Sequence, residues 1–172
     1  MMSKSSPSSM SEMVDPYVSF ASFRDEYAAG NLITQAGSVH LDMRAYFDQP
    51  ADGEFRLTYA LIRDSRVVAI AIFASAPPLE GLNCFAVGYA VDETERGKGF
   101  GKEVLNKALD ELRRGMGPHM GRFYVEAVVG SSNPASQRVA ANVLSSSPVP
   151  GTDGVSGQPC LAYRRLIENG PG

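Results

Sequence analysis

Apolar positions recur along the chain at two periods, and the switch between them predicts the elements. Between Pro16 and Ala29, Val18, Phe23 and Tyr27 recur among polar residues at roughly helical spacing, and Gly30 supplies a stop, so a first helix is expected there. Val39, Leu41, Met43 and Tyr46 predict a second helix over Ser38 to Phe47, before Pro50 and Gly53 break the pattern. Phe55 to Arg63 and Arg66 to Ser75 are β-favouring runs joined by Asp64 and Ser65, which reads as a hairpin. Val67 to Phe73 is apolar on both faces, as a covered central strand would be. After a turn at Pro77-Pro78, Leu82 to Val91 forms a further strand, and the polar, glycine-rich stretch from Asp92 to Gly101 leaves regular structure.

From Lys102 to Arg114, the residues Val104, Leu105, Ala108, Leu109 and Leu112 form the stripe of an amphipathic helix, with Gly115, Gly117 and Pro118 expected to end it. Arg122 to Val129 alternates Phe123, Val125, Ala127 and Val129 as a strand. Asn133 opens a helix from Pro134 to Leu144, with Pro in its favoured first position. Ser145 to Pro159 reads as loop, and Cys160 to Ile167 as the last strand. Strands and helices are interleaved after an early hairpin, which predicts an α/β fold built on a mixed sheet.

Length and composition narrow the class. At 172 residues, the chain fits one domain, expected over residues 15–168, with residues 1–14 as a disordered Ser-rich tail. The tail has no apolar run, so it resembles neither a signal peptide nor a membrane anchor, and a cytoplasmic location is expected. A net charge of −3 argues against nucleic acid or a membrane as partner. Cys84, Cys160, His40 and His119 show no metal-ligand spacing, so neither a metal nor a disulfide framework is expected.

Candidate chemistry concentrates in Arg96-Gly97-Lys98-Gly99-Phe100-Gly101-Lys102, between a predicted strand and a strong helix. Glycines at such a junction let the backbone approach a ligand, and the helix end presents free amides and a positive dipole. Three cationic side chains complete the description of a phosphate or pyrophosphate cradle. A P-loop is excluded because Arg96 stands where its first Gly belongs and Glu103 replaces its hydroxyl residue. A dinucleotide fingerprint fails because Lys102 occupies its third Gly position.

The run instead resembles the coenzyme A loop of the GNAT superfamily of N-acetyltransferases, Gln/Arg-x-x-Gly-x-Gly/Ala, here Arg96 to Gly101. Asn133-Pro134-Ala135-Ser136 resembles the Asn-x-x-Ala/Ser that begins the helix beneath the pantetheine arm, and the resemblance covers roughly Phe55 to Leu144. It implies a GNAT-like central mixed sheet flanked by helices, with acetyl-coenzyme A as co-substrate and no metal. It also implies that Arg96, Gly97, Lys98, Gly99, Phe100, Gly101 and Lys102 hold the pyrophosphate. Ala90 and Val91 would pair with the pantetheine arm, and the N–H of Val91 or Asp92 would stabilise the oxyanion. Asn133 and Ser136 would bond the pantetheine amides, although Asn133 is equally a good helix cap.

The implied activity is transfer of an acetyl group to a primary amine of a small molecule or peptide by direct attack. The alternatives are a non-catalytic coenzyme A or acyl-CoA binding module, and an acetyltransferase acting on a protein or charged tRNA. Members of the superfamily often form homodimers. The chain departs from the common pattern in its proton-transfer groups. Ala140 stands where many members carry a Tyr, and Cys84, Phe85 and Ala86 occupy the region where others carry a Glu. Substitutes are Glu126 as base, and Tyr89 or Tyr124 as acid. His119 is expected to be solvated in a turn, and Cys84 to be a small buried side chain.

Overall fold

The computed structural model describes residues 15–154 and 156–169, and the expected disordered tail, residues 1–14, lies outside them. The first helix, α1 (Pro16–Ala28), is capped by Asp15, whose carboxylate accepts the Tyr17 N–H at 2.9 Å, and it stops at Gly30 with φ 74°. Eight strands follow in one sheet among the described residues: β1 (Gln35–Ala36), β2 (Met43–Asp48), β3 (Arg56–Arg63), β4 (Arg66–Leu79), β5 (Leu82–Val91), β6 (Arg122–Gly130), β7 (Val149–Thr152) and β8 (Pro159–Glu168). Their spatial order is β1-β2-β3-β4-β5-β6-β8-β7, and β5 with β6 is the parallel pair. Two helices lie in the crossovers, α2 (Phe100–Met120) and α3 (Pro134–Val143).

The predicted hairpin forms because Asp64 and Ser65 both take left-handed conformations, φ 50° and 62°, the twist that lets a two-residue turn join right-twisted strands. Val67 to Ala71 are all buried, since β4 is covered on both faces. On one face Phe20 and Phe23 of α1 pack on Ala60, Val67 and Ile70. On the other, Val104, Leu105, Ala108 and Leu112 of α2 and Ala140 and Val143 of α3 pack on Phe73, Phe85, Phe123 and Val125. None of the described helices is long and apolar enough to cross a membrane.

Four expectations are corrected. The helix expected over Ser38 to Phe47 is a turn followed by β2. Buried Glu111 of α2 accepts the N–H groups of Ser38, Val39 and His40, each at 2.8 Å, so these amides point at one carboxylate instead of up a helix. Second, α2 continues through Gly115, Gly117 and Pro118 to Met120. Met116 and Met120 extend the apolar stripe beyond Leu112, and Gly121 at φ 72° ends the helix, so His119 lies in its last turn. Third, β4 runs through Pro77-Pro78 to a turn at Glu80 and Gly81, with an irregular register between Ala76 and Leu79. Fourth, the stretch expected as loop contains β7, a four-residue edge strand whose Pro150 is tolerated because one side of it needs no ladder donor.

Candidate functional site

The site begins where the sheet separates. β5 and β6 pair only through Cys84–Tyr124, Phe85–Val125 and Ala86–Glu126. Beyond that point the strands diverge, and a cleft of about 700 Å³ opens between Val87–Val91 on one side and Ala127–Gly130 on the other. This is the size of a small-molecule or cofactor site. On β5 the Asp92 N–H donates to the Val68 carbonyl at 2.8 Å, which fixes the alternation of the strand. Asp92 and Ala90 turn their backbone groups to β4, so Ala90, expected to pair with the pantetheine arm, is bonded within the sheet instead, whereas Tyr89 and Val91 turn theirs into the wedge. Of the two oxyanion donors considered, the Asp92 N–H is therefore engaged within the sheet, and the Val91 N–H faces the cleft.

The glycine-rich loop closes the wide end. Gly97 and Gly99 have φ of 79° and 84°, a left-handed backbone that disfavours any side chain, and Gly99 is the N-cap of α2 without a side-chain cap bond. The first helical bond runs from the Glu103 N–H to the Gly99 carbonyl, so the N–H groups of Phe100, Gly101 and Lys102 project from the helix end. Three acids near this loop are paired with cations. Glu95 is held by Lys98 at 2.7 Å and Arg66 at 3.3 Å, Glu103 by Lys107 at 2.9 Å and by Arg63, and Asp92 by Arg24 at 3.4 Å. The cleft cations Arg96, Lys102 and Arg138 have no carboxylate partner among the described residues. The Arg96 guanidinium instead lies over the Tyr17 ring, 5.2 Å from its centroid. Uncapped amides beside cations without carboxylate partners make this end of the cleft electropositive, the chemistry that an anion requires.

The opposite wall is α3. Asn133 caps it, its side-chain oxygen accepting the Ser136 N–H at 3.2 Å, so the capping role is present in this structure. The Tyr89 hydroxyl reaches across from β5 to donate to the Ser136 carbonyl at 2.6 Å, with the Ala140 N–H acting on it from the same turn. Burial is the main reason its pKa lies above the ordinary tyrosine range. Ala140 is fully buried, and the Tyr89 ring packs on the cluster that contains it.

The cleft therefore brings together Tyr89, Ala90, Val91, Arg96, Gly97, Gly99, Phe100, Gly101, Lys102, Asn133 and Ser136. Lys98 does not line it and is held by Glu95, which does. Glu126 and Tyr124 do not line it either. They lie on the face of β6 away from α2, where the Glu126 carboxylate accepts from Arg164 at 2.6 Å and the Tyr124 hydroxyl donates to Glu80 at 2.6 Å. That bond to Glu80 is the chief reason the Tyr124 pKa is raised. Cys84 is buried, which pushes its thiol up to about 11, with Glu126 adding to the effect. Among the described residues, no group of three or more His, Cys, Asp or Glu could hold a metal ion.

Several cleft residues were not anticipated. Arg138, Val139 and Asn142 share one face of α3 with Ala135, a spacing readable from the Asn133 start. Asp15, Pro16 and Tyr17 carry no such signal, because only the packing of α1 on β5 brings them there.

Comparison with known proteins agrees with this geometry. Residues 21–143 match the model described as the acetyltransferase (GNAT) family. No curated protein matches the chain. Among solved structures, the ribosomal L7/L12 alpha-N-protein acetyltransferase RimL in complex with coenzyme A is 19% identical, with a TM-score of 0.50 over 66% of this chain and 63% of that one. The chain thus spans less than two thirds of that relative. A ribosomal-protein-alanine N-acetyltransferase from Brucella melitensis is 15% identical, with a TM-score of 0.50 over 90% of this chain and 80% of that one. At such identities the likeness is one of fold.

Proposed function

The chain belongs to the GNAT acetyltransferase family, and on that premise we propose that it transfers an acetyl group from acetyl-coenzyme A to a primary amine of a small molecule or peptide. The observation that carries the reading is the wedge between β5 and β6. It ends in three projecting helix amides and three cations without carboxylate partners. Acetyl-coenzyme A, when bound, supplies an activated thioester. The loop from Arg96 to Lys102 and the Arg138 side chain hold the phosphates, and the backbone of Tyr89 and Val91 pairs with the arm. The Val91 N–H is placed to stabilise charge on the carbonyl oxygen. Ser136 offers a hydroxyl to the same arm.

Glu126 is the residue at which strand pairing ends, on the face opposite α2 and α3. An amine approaching the narrow end of the wedge from that face meets its carboxylate first. We assign it the acceptor's ammonium and then the proton released, with Arg164 holding it in place. Tyr89 is favoured over Tyr124 as thiolate acid because it borders the cleft, although its proton must leave the Ser136 carbonyl to serve. That engagement, together with Ala140, is what favours the second reading of a non-catalytic coenzyme A binding module. Transfer to a protein or charged tRNA is the alternative acceptor reading, the first in keeping with the two ribosomal-protein acetyltransferases of similar fold.

The test is calorimetric titration with coenzyme A, acetyl-coenzyme A, NAD and ATP, followed by thiol release over a panel of amines. Binding of the coenzyme A species alone, with turnover on an amine that falls about a hundredfold in Glu126→Gln at unchanged coenzyme affinity, is the expected result. Absence of coenzyme A binding overturns the reading. Binding without turnover on any amine selects the non-catalytic module.

A further inference from the structure

We infer that Tyr17 of α1 is part of the coenzyme site, as the positioning residue that aims the Arg96 guanidinium at the ligand's phosphates. The inference rests on the coenzyme reading above and adds an element, the first turn of α1, that the loop motif does not contain. Its ground is the way the cations around the loop are held. Lys98 and Arg66 are oriented by Glu95, and Arg24 by Asp25 and Asp92, so each of these charges is offset by an acid. Arg96 is oriented by a ring, with its guanidinium carbon 5.2 Å from the Tyr17 centroid.

The two modes of holding differ in consequence. A carboxylate fixes a guanidinium but cancels its field. An aromatic face restricts the long side chain and leaves its five N–H donors and full charge for a phosphate. Both Tyr17 and Arg96 line the cleft. The Asp15 carboxylate, also at the cleft, is taken up by the Tyr17 N–H as the cap of α1, so it fixes the start of the helix.

The placement of Tyr17 depends in turn on β5. A Cβ at Gly88 would lie 3.2 Å from Pro16 Cγ, so the absence of a side chain there lets the first turn of α1 settle against the strand. Phe20, in a tilted contact with Tyr17 at 33° and 5.6 Å between centroids, restricts the ring further. Arg96 is exposed, so a freely rotating side chain would sample many positions without this shelf.

The experiment is a double-mutant cycle on coenzyme A affinity, measured by calorimetry for the wild-type protein, Tyr17→Leu, Arg96→Met and the double variant, with Tyr17→Phe as the conservative control. Tyr17→Leu should weaken binding about fivefold, the size of a partly desolvated cation–π contact, and Tyr17→Phe should restore it. The KM for acetyl-coenzyme A should rise by the same factor with kcat unchanged. In the Arg96→Met background the Tyr17→Leu effect should vanish. Should Leu unfold α1, as judged by circular dichroism, Tyr17→Met replaces it in the cycle. Equal affinity in wild type and Tyr17→Leu, or the same loss with and without Arg96, overturns the inference while leaving the coenzyme reading intact. A wild-type protein that does not bind coenzyme A overturns both.

Discussion

Gly101 and Gly115 lie in the same helix in opposite environments, and the contrast makes a quantitative test of the cleft's construction. A Cβ at Gly101 would sit 3.3 Å from Val139 Cγ2 of α3 and 3.6 Å from Val91 Cγ2 of β5, whereas one at Gly115 would meet no atom within 4 Å. Gly115 is exposed, so Gly115→Ala should stabilise by about 0.5–1 kcal/mol, chiefly by restricting the unfolded chain, and raise the Tm by about 1–4 °C. Gly101→Ala gains less, because the new methyl must displace Val139 by a few tenths of an ångström, and should come out near zero. Gly101→Val adds two methyls against the same neighbours, an overpacking of about 1–3 kcal/mol, and should lower the Tm by about 2–12 °C.

The displaced groups are the walls of the cleft, so coenzyme A affinity in Gly101→Val should fall at least about tenfold, equivalent to about 1.4 kcal/mol. Thermal melts of the three variants, followed by titration with coenzyme A, give both quantities. A Gly101→Val protein that melts and binds like the parent would refute the argument that α2, α3 and β5 meet at this residue to shape the site.

Two further outcomes follow from the electrostatics. Arg138→Gln should weaken coenzyme A binding about tenfold at low salt, and the difference should narrow in titrations at high salt, since an exposed cation acting on phosphate is screened. The Asp92 carboxyl is held below the usual carboxylate range, first by the Thr94 N–H, so its stabilisation is present at neutral pH and is lost as pH falls from about 4 towards its lower folded value. Asp92→Asn should therefore melt earlier than the parent at pH 7, with a deficit that shrinks as pH falls below about 4; a deficit that stays constant with pH would exclude this role.

Much of this architecture was readable because particular residues act locally. Asp64 and Ser65 turn the chain wherever they stand between alternating runs, and the stripe from Val104 to Leu112 has one helical face to bury. The loop was readable for the same reason, since Gly97 and Gly99 serve conformations that side chains resist. Elements defined by their neighbours were not readable. The residues of β7 are all exposed and carry no apolar period, so only pairing with β8 makes them a strand. The turn at Ser38 to His40 is imposed by Glu111, far along the chain. The alternation of β6 placed Glu126 and Tyr124 on one face, but nothing local announced that Arg164 and Glu80 would hold them.

The three residue pairs that join β5 to β6 also bear on how the molecule folds. Strands β1 to β5 form an antiparallel meander in which each strand neighbours the next in sequence, so they can assemble by closing short loops. The parallel join must wait for the long crossover through α2, and it zips for only three pairs before stopping. The cleft lies along this seam, where three residue pairs resist opening against nine in each of the neighbouring ladders. A site of this kind can flex to admit a ligand without disturbing the core of either half.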